Sequence, residues 1–257
     1  MAATSLDAAP IAPNGRGVTR SKTTTLLGVA VLAGMALWFF LAFVATGPDA
    51  VQQDAFRLIY VHVPAAIIAY LAFFVTAVGS VMVLVKKSVW WDLVAGASAE
   101  IGALAAALTL ITGSIWGRPI WNTWWEWGDV RLLTTLVLFM LALGYLAIRR
   151  LEGTAEERAK RAAVVGVLLI VNVILVNRSV EWWANQTIHQ RSTIAEARIE
   201  DLKAFTLFFS IVLGAAAYVW MLIHRFRLSW LERQYDRFGL DDAIQARRAE
   251  ATVGGRS

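Results

Sequence analysis

The chain of 257 residues contains no cysteine. It therefore forms no disulfide, cannot reduce a disulfide in a partner, and has no Cys-x-x-Cys-His sequence for covalent cofactor attachment. It also has no Gly-x-x-x-x-Gly-Lys-Ser/Thr sequence, which excludes nucleotide hydrolysis by a phosphate-binding loop of that type. Histidine is scarce, with three residues, and no internal repeat is evident.

Charged residues make up only 17% of the chain, whereas hydrophobic residues make up 58%. A water-soluble domain of this size could not bury so much apolar surface, so the chain belongs in a bilayer. Six apolar runs are long enough to cross about 30 Å of hydrocarbon at about 1.5 Å per residue. They are Leu26 to Val44, Val61 to Val85, Leu93 to Ile115, Leu132 to Ile148, Ala162 to Val176 and Phe205 to Ile223. We predict an all-α integral membrane protein with six transmembrane helices, of which the fifth, containing Asn172, is the least certain.

The positions of lysine and arginine orient this prediction, because cytoplasmic segments retain them. With the amino terminus inside, seventeen of the twenty-four cations fall on the inner side. Both termini are therefore predicted to be cytoplasmic, and a basic balance of this origin does not indicate nucleic acid as a partner. The predicted parts are a polar tail at residues 1–24, a membrane domain at 25–224 and a charge-rich cytoplasmic tail at 225–257.

Five of the twelve tryptophans lie within twelve residues of the predicted outer loop between helices three and four, which spans residues 116–131. An interfacial belt typically uses one or two per membrane crossing. If the segment is helical, Trp121, Trp124 and Trp125 form one aromatic face that could receive a large flat ligand. The alternative is an enlarged belt on a helix lying in the membrane surface. The five are Trp116, Trp121, Trp124, Trp125 and Trp127.

Two of the three histidines, His62 and His189, lie on the predicted outer side and can reach the tryptophans. Two imidazoles beside an aromatic bed match the needs of a porphyrin, which are nitrogen ligands on both faces of the iron and flat apolar surface around the ring. Either histidine alone would be an ordinary interfacial residue, so it is their pairing on one side that favours ligation. His224 lies at the inner end, too far away to share a ligand.

Haem also carries two carboxylates, which need cationic partners. Four arginines near the outer ends of the spans could contact them, and local ion pairs with loop carboxylates explain the same arginines equally well. They are Arg57, Arg118, Arg131 and Arg178. Glu100 lies about two turns inside the third span, where a lone charge costs about 2.5 to 3.5 kcal/mol. We expect it to be protonated, paired or facing a cavity, with a packing or subunit-contact role rather than proton transfer.

The segment from Trp116 to Trp127, followed by Asp129 and Arg131, resembles the outer loop of the CcmC-type haem-handling proteins (haem exporter protein C) of cytochrome c maturation, which belong to the tryptophan-rich WWD superfamily. Residues 52–66 are similar to the first histidine region of that family, and residues 179–190 to the second. Three motifs in the family's order make the resemblance specific, and it covers residues 25–225.

This resemblance implies transient binding of haem b at the outer face of the bacterial inner membrane, with His62 and His189 as axial ligands. The platform would be the five loop tryptophans together with Trp182 and Trp183. The haem would be presented to a periplasmic haem chaperone of the CcmE type, beside CcmA-type and CcmB-type ABC transporter subunits and a small CcmD-type protein. Catalysis is left open, because positioning alone can favour a bond between a chaperone histidine and a haem vinyl group.

Three features depart from the family pattern. Asn122 stands where the family usually has glycine, and Gly128 lengthens the usual Trp-Asp-x-Arg sequence. His189 follows Trp183 by six residues instead of about four, which rotates it by roughly 200° if the stretch is helical. Two other classes of function remain alternatives: a cytochrome b-type electron-transfer subunit, disfavoured because the inner half offers only His224, and a solute permease without haem.

Overall fold

A computed structural model of the chain describes residues 21–189 and 201–254, with side chains as far as Tyr235 and at Gly239. Most of the predicted amino-terminal tail lies outside the described residues, as does Gln190 at the end of the second histidine motif.

Six helices dominate the described chain. They are α1 (Lys22–Phe40), α2 (Ile59–Lys86), α3 (Val89–Trp121), α4 (Val130–Ile148), α5 (Ala155–Trp182) and α6 (Asp201–Gly254). A π-helical turn, Leu41–Ala45, extends α1, and a 3₁₀ turn, Asp54–Leu58, precedes α2. All six helices are long and apolar enough to cross a membrane, and residues 21–189 and 201–254 contain no β-strand. The prediction of an all-α protein with six spans is confirmed.

The helix ends follow from side chains that replace missing backbone hydrogen bonds. Thr154 and Glu157 form a reciprocal capping box at the start of α5, which satisfies two backbone N–H groups that the helix cannot use. Lys87 and Asn122 end α2 and α3 in the left-handed conformation. Asn122, with φ of 57°, stands where the resembled family has glycine, and asparagine is among the few residues that tolerate this conformation.

Small residues let α2 and α3 approach closely, as expected for helices packed inside a membrane. A Cβ atom added to Gly79 would lie 2.9 Å from the Cβ of Ala95, and one added to Gly102 would lie 2.8 Å from a ring carbon of Phe73. Ser98 of α3 donates to the Ala72 carbonyl on α2. This interface is the most extensive in the bundle; α4, α5 and α6 pack against it, and α1 packs on α6.

Asn172, the polar residue that made the fifth span the least certain of the six, helps to hold that span in the bundle. Asn172 is buried, and its Nδ2 donates to the Thr134 carbonyl of α4 at 3.1 Å. A polar side chain inside a membrane is stabilised when it hydrogen-bonds across to a neighbouring helix. Asn172 therefore fastens α5 to α4 instead of interrupting the span.

The bundle has two chemically different ends. At the end called here the tryptophan end, the carboxyl ends of α3 and α5 meet the amino ends of α2, α4 and α6, and Lys203 Nζ donates to the Pro48 carbonyl at 3.2 Å. At the opposite end, called the arginine end, Arg149 binds Asp92 through two hydrogen bonds of 2.5 and 3.2 Å. Glu100 is paired there with Arg225, which satisfies the expectation for a carboxylate inside a span. Helix α6 continues to Gly254, so Arg225, where the cytoplasmic tail was predicted to begin, lies within this helix.

Replacing Gly102 with alanine is expected to lower the free energy of unfolding by about 1 to 3 kcal/mol, the usual cost of overpacking. The detergent-purified variant should therefore unfold at a lower temperature than the wild type. Phe73 is fully buried, so its ring has little room to move away from the new methyl group. Gly144 provides a matched control, because a Cβ added there meets no atom within 4 Å. Equal thermal shifts for Gly102→Ala and Gly144→Ala would contradict close packing of α2 on α3.

Candidate functional site

The tryptophan-rich segment is divided between a helix and a loop. Helix α3 continues through Pro119 and ends at Trp121, and residues 123–128 follow without helical structure. The aromatic face expected if Trp121, Trp124 and Trp125 shared one helix therefore does not form. Trp116 and Trp121 instead lie on the last turns of α3, while Trp124, Trp125 and Trp127 lie on the loop.

His62 lies in the first turn of α2 and rests against the backbone of α3. Its ring is 5.7 Å from the ring of Trp116 in an edge-on arrangement, and a Cβ added to Gly113 would lie 3.1 Å from its Cε1 atom. Glycine at position 113 therefore leaves the space that the imidazole occupies.

The hydroxyl of Thr112 lies beside one ring nitrogen of His62. The Thr112 hydroxyl donates to the Leu108 carbonyl at 2.7 Å, and the His62 Nδ1 atom lies 3.1 Å from the same hydroxyl oxygen. With the hydroxyl proton on that carbonyl, Nδ1 is placed to donate its own proton to the hydroxyl oxygen. The Nε2 atom then keeps its lone pair, which is the arrangement that metal-binding histidines commonly show.

His189 follows α5 in an irregular segment. After Trp182 the chain forms a short 3₁₀ turn, Ala184–Gln186, and then leaves helical conformation. The rotation of about 200° expected for a helical stretch therefore does not apply. The His189 ring lies 5.9 Å from the ring of Trp121.

Asp129 holds this segment in place. Its Oδ1 accepts from the Leu132 N–H at 2.8 Å and caps α4, while Oδ2 accepts from the Thr187 hydroxyl at 2.8 Å and the Ile188 N–H at 2.6 Å. Asp129 is only 2% exposed. One carboxylate thus joins the start of α4 to the residues immediately before His189. Sequence reasoning treated Asp129 as a motif residue or an ion-pair partner, and its position just before an apolar run was the available signal for a helix cap.

The two histidines are brought to the same end of the bundle. They are close enough for a charge on one to repel a charge on the other, and each packs on a different tryptophan of α3. The arrangement offers two imidazoles beside Trp116 and Trp121. No group of three His, Cys, Asp or Glu suited to a metal ion occurs within the described residues. A metal held by this pair would need most of its remaining ligands from another molecule, as iron has in a porphyrin.

The tryptophans fall into two groups by exposure. Trp116, Trp121 and Trp125 are half-buried, whereas four are exposed: Trp124, Trp127, Trp182 and Trp183. Trp124 and Trp127 are 58% and 71% exposed, so most of each side chain is accessible to another molecule. The Trp125 Nε1 atom is shielded from solvent and has no hydrogen-bond partner among the described residues. A buried donor without a partner is rare in folded proteins.

Trp116 is fixed from the loop that follows α1. Its Nε1 donates to the Gln52 side chain at 2.9 Å. Asp49 shapes that loop by accepting from the N–H groups of Gln52 and Val51, and these hydrogen bonds, with Lys203 nearby, hold the pKa of Asp49 below its usual value. Asp49 is therefore ionised at neutral pH.

The four candidate arginines differ in the groups that each already contacts. Arg57 contacts Asp54 and donates to the Ala42 carbonyl at 2.7 Å in the π-helical turn. Arg118 donates to the Asn122 carbonyl, and Arg178 to Glu181, at exposed positions. Arg131 is half-buried and lies close enough to His62 and Tyr70 to interact electrostatically with both. Of the four arginines, Arg131 is thus the one that interacts electrostatically with His62.

A six-helix bundle able to span a membrane, with two imidazoles and seven tryptophans at one end, is the architecture of a multi-pass membrane protein with an aromatic cluster at one end. Its sequence matches the family model "Heme exporter protein C" over residues 13–239. The chain belongs to this family, and the resemblance stated from its motifs is confirmed.

Relatives in several bacteria carry the same name. Heme exporter protein C of Haemophilus influenzae is 33% identical over 219 residues, which cover 84% of this chain and 84% of the relative. The Escherichia coli K12 protein is 35% identical over 185 residues, covering 72% of this chain and 74% of that protein. The Paracoccus denitrificans protein is 35% identical over 168 residues, covering 65% and 67%.

Proposed function

We propose that this protein binds haem b at the tryptophan end of the bundle during cytochrome c maturation and presents it to a periplasmic haem chaperone of the CcmE type. Its place would be the bacterial inner membrane, beside CcmA-type and CcmB-type ABC transporter subunits and a CcmD-type protein, with the tryptophan end outward. The observation that carries the proposal is the pair of imidazoles packed on Trp116 and Trp121. Membership of the heme exporter protein C family supports the same ligand.

The residues at this end fit a porphyrin in three respects. The Thr112 hydroxyl beside Nδ1 favours the tautomer of His62 in which Nε2 is unprotonated and can bind iron. The tryptophans provide flat apolar surface, and the half-buried guanidinium of Arg131, which interacts electrostatically with His62, can meet a carboxylate. An electron-transfer subunit would hold its haem permanently between histidines on facing helices. His189 lies on a loop segment instead, which favours transfer over permanent binding.

Transfer also requires that one side of the bound molecule be accessible to a partner. The exposed rings of Trp124 and Trp127 provide apolar surface that stays in contact with the surroundings when the half-buried tryptophans hold the ligand. Exposed aromatic residues are typical of the centres of protein interfaces. We infer that the chaperone docks on this loop and meets the edge of the haem there.

Replacing both Trp124 and Trp127 with alanine is expected to lower covalent loading of the chaperone about tenfold or more while haem stays on the protein. The reason is that loss of two interface aromatics, each worth about 1 to 2 kcal/mol, weakens docking without touching the histidines. The measurement is haem staining of the co-expressed chaperone, together with the visible spectrum of the purified membrane protein.

Trp90→Ala is the matched control, because Trp90 is an exposed tryptophan at the arginine end and packs on Phe226. Its loading should equal that of the wild type. Unchanged loading in the Trp124→Ala, Trp127→Ala double variant would show that the chaperone does not dock on these two tryptophans. Loss of haem from the same variant would make these two residues part of the haem site itself.

A further inference from the structure

A charged cavity lies at the arginine end of the bundle. A cavity of about 620 Å³ opens between α3, α4, α5 and α6, within the range of about 300 to 1,000 Å³ that small-molecule sites occupy. Most of its lining is charged. The charged residues are Asp92, Glu100, Glu232, Arg149, Arg150, Arg158, Arg225 and Arg233. Five guanidinium groups face three carboxylates, so the lining carries a surplus of positive charge.

The three carboxylates of the cavity are already matched. Arg149 binds Asp92 in a two-pronged pair, and Arg225 binds both oxygens of Glu100. Glu232 lies 3.7 Å from Arg225 Nη1, an atom that is shielded from solvent and makes no hydrogen bond to the described residues. Arg149 and Arg225 thus pair with all three carboxylates, and these ion pairs join α4 and α6 to α3.

The other three arginines have no carboxylate partner among the described residues. Arg158 donates to the Gly153 carbonyl at 2.8 Å, and neither Arg150 nor Arg233 is paired with an acidic side chain there. They come from three different places: the end of α4, the first turn of α5 and the continuation of α6. Guanidinium groups brought together from separate elements repel one another unless an anion lies between them, and their fork of N–H donors matches phosphate oxygens.

We propose that this cavity binds a phosphate group through Arg150, Arg158 and Arg233, and that the phosphate is the headgroup of an anionic phospholipid. The cavity lies where α4 ends and α5 begins, which is where a bilayer crossed by these helices would place its lipid phosphates. Basic pockets between transmembrane helices are known to hold such headgroups. The charged lining is unsuited to the flat apolar face of a porphyrin, so this site is distinct from the histidine site at the other end.

The test uses the full chain in detergent and native mass spectrometry with added phosphatidylglycerol, phosphatidylcholine or inorganic phosphate. The wild type is expected to retain phosphatidylglycerol in preference to phosphatidylcholine. The triple variant R150Q, R158Q, R233Q is expected to bind phosphatidylglycerol about a hundredfold more weakly, or about 3 kcal/mol at roughly 1 kcal/mol per arginine. A charge-matched control is the triple variant K86Q, K87Q, R161Q, which removes three cations at the same end but none from the cavity lining.

Equal phosphatidylglycerol binding by the wild type and the cavity variant would overturn the proposal, and so would equal losses in the cavity and control variants. Binding of inorganic phosphate with no preference among the lipids would overturn the lipid source and leave the phosphate site in place. An unchanged haem spectrum and elution volume would show that the cavity variant is folded. Should it fail to fold, R233Q alone is expected to weaken binding about fivefold.

Discussion

Loss of haem is the expected result of replacing either His62 or His189 with alanine. Removing a group that hydrogen-bonds to a metal ligand typically lowers metal affinity by roughly 10 to 100-fold, so removing the ligand itself should lower it at least as much. Purified wild-type protein should show the visible spectrum of low-spin iron with two imidazole ligands. Each single variant should retain at least tenfold less haem, and what remains should be high-spin because one axial position has lost its nitrogen.

The third histidine supplies the control. His224 also packs on a tryptophan, with its ring 5.2 Å from that of Trp220, but it lies in the half of α6 toward the arginine end. His224→Ala should therefore keep the wild-type spectrum. Added imidazole should restore low-spin iron in His62→Ala, because the small molecule can take the vacated position. A low-spin spectrum that persists in both His62→Ala and His189→Ala would refute the axial pair.

Asp129→Asn is expected to reproduce the spectrum of His189→Ala without unfolding the protein. Asparagine caps helices about as well as aspartate, so α4 should keep its first turn. Hydrogen bonds to a charged acceptor are worth about 1.5 to 3 kcal/mol, and the amide cannot accept from both Thr187 and Ile188 while also capping α4. The His189 segment should then lose its position, and haem retention should fall roughly 10 to 100-fold. The measurement is the visible spectrum beside a thermal shift.

The double variant Asp129→Asn, His189→Ala separates positioning from a general effect on folding. If Asp129 acts through His189, the double variant should lose little more haem than His189→Ala alone, because residues that share one interaction are not additive. Glu181→Gln, which removes an exposed partner of Arg178 at the same end, should leave the spectrum unchanged. Additive losses in the double variant would show that Asp129 does not act by placing His189.

The sequence was sufficient for the features that depend on local composition. Each spanning helix is an apolar run of its own, so hydropathy alone predicted six helices, including the fifth. The alternation of spans then placed His62, His189 and the tryptophan segment at one end before any contact was known. Three short motifs in order were enough to predict the family.

The tertiary structure decided what depends on contacts between residues far apart in the chain. The Nδ1 atom of His62 contacts the Thr112 hydroxyl, fifty residues away, and the segment before His189 is held by Asp129, nearly sixty residues before it. Glu100 finds its partner in Arg225, 125 residues later. Hydropathy and spacing report how each segment meets lipid or water. They carry no information about which side chains face each other once the helices pack, and that packing creates both the imidazole pair and the arginine-lined cavity.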